Sequence, residues 1–404
     1  MTELDSNPWS PPRWLRHWAA ATLALLFALL LLGAVVTSFR VGMADPIWPT
    51  RPWHLAIIDW QEQSRGFLIE HTHRLAGFAV GGAVTILAVG LWLTERKPLW
   101  KWGGAAALIV LLAAFGQLHG TLIKQQRLYN AALEIAPPAP AATIEPPTPD
   151  WLLAAGPTVV ALAIVGALTL AGMRLGSPGR GLRALAIVLL VAVMAQGLLG
   201  GLRVYLNALF GTDLATIHGV FSQIVVALAV AVLVGTMPRR IADELWAPSR
   251  RTIRWSILTA AVVFAQVVTG AVLRHTTSPL GPRLHLLLAF AVVAVTIVIG
   301  RQLADAPRSI RRLKIALHAL VGLQVLLGVE AWLSKFADGP AAAALRRVTE
   351  ADAALRTAHT LTGYAIFAVA VGLALVILRT RSVQIRSPKS DIRSLRQGAV
   401  EVVV

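Results

Sequence analysis

Glu70-His71-Thr72-His73-Arg74, followed by the apolar run from Leu75 to Leu93, sets the terms for the whole chain. An acid, two imidazoles and a guanidinium stand at the mouth of a stretch long enough to cross a hydrocarbon core. Ionisable groups at that depth cost several kcal/mol unless they are paired or used, so they mark a candidate site. On a helix, Glu70 and His73 are three residues apart and share a face, whereas His71 points elsewhere. One face therefore carries a carboxylate beside a potential iron ligand.

The rest of the chain has the same character. Of 404 residues, 56% are hydrophobic and only 14% charged, with a mean hydropathy of +0.67. Such a chain belongs in a bilayer. Apolar runs predict ten spans, near 19–39, 70–93, 102–123, 152–173, 184–203, 215–237, 255–274, 284–300, 314–333 and 358–378. The first is expected to be a retained span, since no small-residue cleavage site ends it. The segments 1–18, 94–101, 174–183, 238–254, 301–314 and the tail after 378 hold 24 of the 37 Lys and Arg, but only 8 of the 20 Asp and Glu. By the positive-inside rule both termini are expected in the cytoplasm. The net charge of +17 is thus a topology signal, and no nucleic-acid partner is expected. With no cysteine in the chain, disulfides, thiolate catalysis and iron–sulfur ligation are excluded, and His is left as the natural metal ligand. Between the third and fourth spans, Lys124 to Asp150 is rich in Pro and Ala and reads as an extended linker.

An internal repeat organises the spans. Gln196-Gly197-Leu198-Leu199-Gly200, Gln266-Val267-Val268-Thr269-Gly270 and Gln324-Val325-Leu326-Leu327-Gly328 share a Q-x-x-x-G frame. Each frame precedes an outer loop and then a helix that opens with His218, His285 or His359. Gly33-Ala34-Val35-Val36 matches Gly270-Ala271-Val272-Leu273, and its span leads to His73. Four hairpins thus follow one plan, a small-residue helix going out and a His helix returning. The small residues permit close approach of a neighbouring helix or a flat cofactor. Spans three and four break the plan and are expected to be an insertion.

Four His at equivalent depth on a duplicated plan point to heme ligation, with His73 paired with His218 and His285 with His359. Zinc binding or a proton relay remain open on these residues alone. The other six read as ordinary: His17 and His54 interfacial or loop residues, His71 a supporting or loop group, His119 in the insertion, His275 in an outer loop, and His318 structural near the cytoplasmic side. Arg74, Arg203, Arg274, Arg283 and Arg356 lie on the outer side, where they would suit heme propionates or simple solvation. Glu70 has two readings, a salt bridge to Arg74 or proton handling beside a reacting group.

Taken together, Glu70-x-x-His73-Arg74, Gly42-Met43-Ala44-x-Pro46-x-Trp48-Pro49-Thr50 and Gln196-Gly197-Leu198-Leu199-Gly200-Gly201-Leu202-Arg203-Val204 leading to His218 resemble the heme A synthase family. The resemblance implies an all-α polytopic membrane protein of two pseudo-symmetric four-helix bundles. Residues 1–237 would form the substrate-heme half, with 102–173 as an inserted hairpin, and 238–404 the heme b half with a basic cytoplasmic tail. It further implies a heme b cofactor on His285 and His359, and heme O as substrate at His73 and His218, with Glu70 essential. The implied reaction oxidises the C8 methyl of heme O to a formyl group, giving heme A for terminal oxidase assembly. An external electron donor, the heme O synthase that supplies substrate and the lipid bilayer are the expected partners, in a bacterial cytoplasmic membrane. Two departures stand out: the family plan has eight helices, and many relatives carry a cysteine pair that this chain lacks. A di-heme b-type electron-transfer cytochrome and a His-relay transporter are the alternatives.

Overall fold

The computed structural model describes residues 10–44, 59–135, 151–205, 212–238, 246–275, 280–336 and 348–384. Among these residues the only regular elements are helices: α1 (Arg13–Ser38), α2 (Arg65–Trp92), α3 (Pro98–Ile135), α4 (Trp151–Arg174), α5 (Arg180–Tyr205), α6 (Asp213–Thr236), α7 (Arg250–His275), α8 (Leu280–Gln302), α9 (Arg308–Phe336) and α10 (Glu350–Gln384). All ten contain a stretch long and apolar enough to cross a membrane. Helix is the natural solution there, because it satisfies every backbone polar group within one segment. Stray hydroxyls follow the same rule. Thr22, Thr85, Thr259 and Thr360 each donate to the carbonyl four residues back.

The helices outrun the apolar runs at several ends. α10 starts at Glu350 rather than 358, and α9 runs from Arg308 to Phe336. Polar first turns explain this, since side chains can cap a helix beyond the hydrocarbon. Ser64 caps α2 by accepting from the Phe67 amide at 3.2 Å. At α10, Thr349 and Asp352 bond each other's amides in a capping box. α1 ends in a Schellman turn, with Val41 N–H on Val36 O and Arg40 at φ 59°. The largest departure is α3, which continues to Ile135 through residues read from sequence as the start of a Pro- and Ala-rich linker. Lys124 to Ile135 contains no proline, and the helix propagates through it. The proline runs at 136–149 lie outside the described residues.

Packing joins α1 with α2, α2 with α5, α5 with α6, and α6 back to α1. The same cycle recurs as α7 with α8, α8 with α9, α9 with α10, and α10 back to α7. Between the two cycles, α1 meets α10, α6 meets α10, and α6 meets α7. α3 and α4 pack mainly on each other, with smaller contacts from α3 to α2 and from α4 to α5. Lipid offers no hydrophobic drive between helices, so shape carries the association. A Cβ at Gly90 would fall 2.6 Å from Trp14, and one at Gly104 only 2.0 Å from Trp92. Trp18 adds a hydrogen bond from Nε1 to the Ala83 carbonyl at 2.8 Å.

One polar cluster has no counterpart in the sequence pattern. Glu95, just after α2, forms a 2.6 Å ion pair with Arg183 of α5, both nearly closed to solvent. Ser177 donates to the same carboxylate oxygen at 2.6 Å, and the Arg96 amide donates to the other at 2.8 Å. The chain leaving α2 is thus fastened to the chain entering α5. Burial raises the affinity of Glu95 for its proton, but the Ser177 hydroxyl, the Lys97 amide, the Arg183 charge and the Arg96 amide together outweigh it. The carboxyl is held below the usual range. An acid in a basic loop was the available signal, but nothing in the sequence named its partner.

Candidate functional site

The four histidines of the repeat sit in four copies of one local arrangement. A Cβ at Gly33 would stand 3.0 Å from His73 Cε1, and one at Gly200 would stand 3.2 Å from His218 Cε1. The corresponding distances are 3.1 Å from Gly270 to His285 and 3.2 Å from Gly328 to His359. In every hairpin the glycine of the outgoing helix therefore makes the recess in which the returning imidazole lies. Even a methyl group there would press on the ring, and a larger residue would displace it.

One turn before each glycine, three of the helices place a glutamine amide against the same ring. Gln196 Nε2 lies 3.2 Å from His218 Nε2, Gln266 Nε2 lies 3.4 Å from His285 Nε2, and Gln324 Nε2 lies 3.3 Å from His359 Nε2. Gln196 Nε2 also donates to the His218 carbonyl at 3.0 Å. The other amide atom, Oε1, is buried in all three without a hydrogen-bond partner. Nδ1 of His73 and of His359 is likewise buried and unpartnered. Thr269 Oγ1 lies 3.2 Å from His285 Nδ1.

The C-terminal pair stand close together, edge to face. The His285 and His359 ring centres are 6.3 Å apart, with their planes at 70°. His73 and His218 lie within electrostatic reach of one another, and the Arg203 charge reaches both. Arg203 rests on the chain at Gly42, where a Cβ would come within 2.5 Å of Nη2. The sequence motif that begins at Gly42 thus meets the end of α5. Its later part, Asp45 to Thr50, lies outside the described residues, as does His54.

Glu70 is not at a hydrated mouth. It is 4% exposed, and its Oε1 accepts from Arg74 Nη2 at 2.8 Å. The salt-bridge reading of Glu70 is therefore correct as geometry, but the pair is buried rather than half-solvated. The cause is the position of the helix start: the hydropathy run begins at Leu75, while α2 begins ten residues earlier, at Arg65. Glu70 consequently lies in the second turn of α2 and not at its end. His71 is also buried, stacked on Phe67 at 5.2 Å and 13°.

The remaining candidates fall elsewhere. His119 meets the edge of Phe78 at 6.0 Å, on the α3 side of α2. His275 is the last residue of α7, not a loop residue. His318 lies against Gly300 with Nδ1 2.8 Å from the Lys314 carbonyl, a structural position. His17 is exposed near the start of α1. Arg283 belongs to the first turn of α8, Arg356 to the second turn of α10, and Arg274 to the last turn of α7. Among the described residues, no group of three or more His, Asp or Glu is arranged to hold a metal ion.

No protein-family model and no solved structure matches the chain. It is similar to a heme A synthase from Sphingopyxis alaskensis, 32% identical over 119 residues. The similar stretch covers 28% of this chain and 32% of that protein's length, a distant and partial likeness.

Proposed function

We propose that this chain is a heme A synthase-type oxidoreductase, holding heme b between His285 and His359 and presenting substrate heme O between His73 and His218. The observation that carries the proposal is the His285–His359 spacing within the repeated glycine recesses. The two imidazoles would hold the heme iron between them, and their ring centres stand 6.3 Å apart. Heme would bring its own nitrogen donors, so two protein ligands would suffice. A closed zinc site needs about four ligands, and the described residues offer no such group.

The choice between a synthase and a two-heme cytochrome rests on an asymmetry. Three residues before the ligand, His73 has Glu70, whereas His218 has Ala215, His285 has Pro282 and His359 has Arg356. A symmetric electron carrier has no use for one buried acid at one of four equivalent stations. An oxygenase acting at one heme does. Bound heme b would supply electron transfer to the substrate site. The protein's own part is to hold each ring in its glycine recess, exclude water and keep the Glu70 carboxylate beside the reacting edge. Converting a methyl to a formyl group by two successive hydroxylations would use, at each, one O2 with two electrons and two protons from outside and would release one water, the second product losing a further water to leave the formyl group. Protons must therefore reach the site, and Glu70 with Arg74 is the group placed to manage them. Arg203 lies within reach of Glu70 and of both imidazoles and suits a propionate of the substrate.

The test is expression in cells that make heme O but no heme A, followed by extraction and chromatography of the hemes. Appearance of heme A, dependent on Glu70, supports the synthase. Two non-exchangeable b-type hemes and no heme A would favour the cytochrome.

A further inference from the structure

The two halves repeat one plan, yet their outward faces differ. In the N-terminal half, α3 and α4 lie along α2 and α5. The counterparts of α2 and α5 are α8 and α9. Here α8 packs on α7 and α9, and α9 on α8 and α10, so no described helix covers this second seam. Toward the cytoplasmic side the two helices are firmly seated, with Ile299, Ile310 and Leu317 fully closed. Toward the outer side, none of residues 282–291 and 322–334 is fully buried.

Lipid would cover an ordinary apolar face, but this one carries two charges. Arg283 of α8 and Glu330 of α9 are both exposed, and neither has a hydrogen-bond or ion-pair partner among the described residues. Leu326 and Leu333, one turn to either side of Glu330, are exposed as well, so the carboxylate stands in apolar surroundings. Ionisable groups within a membrane span are costly unless paired. Arg283 lies two residues outward of His285, and Glu330 two residues outward of Gly328, the recess of His359. The His285 and His359 rings adjoin, so the two charges stand at nearly one depth.

A second complementarity lies deeper on the same face. Phe290, seven residues inward of Arg283, is the most exposed large apolar side chain of α8, at 68%. Gly322 lies eight residues inward of Glu330, and a Cβ added there would meet nothing within 4 Å. With a rise of about 1.5 Å per residue, both positions sit roughly 10–12 Å below the charges. The face thus offers a cation and an anion at one height, and a protruding ring and a gap at another.

We propose that this face is the docking surface for a second copy of the chain, related by a two-fold axis along the membrane normal. Such an axis keeps every residue at its own depth and sets α8 of one copy against α9 of the other. Arg283 then pairs with Glu330 across the interface, and Phe290 fills the space at Gly322, each contact occurring twice. Fit at small residues matters here because lipid supplies no hydrophobic drive between helices. A different protein would need both features in the matching order, whereas a second copy has them by symmetry. The inserted hairpin occupies the equivalent surface of the N-terminal half and leaves the C-terminal one open.

The test is Förster transfer between full-length copies carrying donor or acceptor fluorescent proteins on their C-terminal tails, in phosphatidylcholine vesicles. Wild-type copies should show transfer that falls as lipid is added. Glu330→Arg alone, or Arg283→Glu alone, sets like charges face to face at both contacts and should weaken association roughly 10–100-fold. Mixed together, the two variants meet opposite charges at both contacts and should recover wild-type transfer, a result that neither another partner protein nor lipid alone produces. Absence of transfer in wild type, undiminished transfer in either single reversal, or no recovery in the mixture overturns the proposal. Should a reversal fail to insert, the native charges still decide, because the chain has no cysteine. Differently tagged Phe290→Cys and Gly322→Cys copies should then form a mixed disulfide under a membrane-permeant oxidant, and its absence overturns the proposal equally.

Discussion

Replacing Glu70 by Gln probes both the fold and the chemistry, and the structure separates the two contributions. The Glu70 and Arg74 side chains are only 6% and 12% exposed, and they pair at 2.8 Å. An exposed pair of this kind contributes about 0–1 kcal/mol. Removing one partner of a buried pair costs about 3–5 kcal/mol, because a charge is left without compensation. Burial places Glu70 in the second class, and the Arg203 charge within reach of it adds to the penalty. Glu70→Gln alone should therefore lower the thermal unfolding midpoint in detergent clearly. Adding Arg74→Met removes the other charge of the pair and should recover more than half of the loss. Activity should not follow stability: the double variant should remain folded yet accumulate heme O, with turnover down roughly 10²–10⁴-fold for loss of an acid–base group. A Glu70→Gln protein as stable as wild type would refute the buried-pair argument. Wild-type heme A in the stable double variant would refute the catalytic one.

Further expectations follow from other parts of the molecule. Gly270→Val should push the His285 ring out of its recess, since even a lone Cβ would stand 3.1 Å from Cε1; the protein should insert normally but show a clear loss of heme absorbance per polypeptide, and full heme content would contradict the recess. Glu95→Ala should cost about 3–5 kcal/mol by stranding Arg183, with Arg183→Met restoring much of it, measured by thermal unfolding of the single and double variants. Because folding depresses the Glu95 pKa, its contribution is complete above the unfolded value of about 4.5 and is lost as pH falls below that; the acid-side loss of stability should flatten in Glu95→Ala. Excision of residues 98–174 with a short Gly-Ser joint should leave heme content intact, since Glu95 and Ser177 already touch at 2.6 Å across the base of the hairpin; loss of both hemes would show that α3 and α4 support the site.

Much of this architecture was legible because membrane helices announce themselves in hydropathy, and the ten spans fall where the apolar runs do. The repeat was legible too, since Gln and Gly recur four residues apart with a His opening each following helix, and Gly33 aligned with Gly270 without a structure. What the spacing could not tell was the contact it encodes, the imidazole lying on the glycine of the preceding helix. The depth of Glu70 was hidden because polar first turns conceal where a helix begins and which helices cover it. The Glu95–Arg183 pair was invisible for a different reason: its partners are 88 residues apart, and only the fold brings them together. Helix ends departed most from hydropathy, at α3 above all, because helix continues wherever no proline or cap stops it.

If the four glycine-backed histidines form two heme sites of unequal permanence, heme content must divide between them. Extraction and chromatography should therefore be applied to purified wild type and to His73→Ala, His218→Ala, His285→Ala and His359→Ala. One retained heme b is expected in wild type and should be lost in His285→Ala and His359→Ala. A separate, exchangeable heme O or A should be lost in His218→Ala, while heme b survives in both His73→Ala and His218→Ala. Full heme b in His285→Ala and His359→Ala, or a wild-type protein purified without heme from heme-replete cells, would show that these histidines do not hold the hemes.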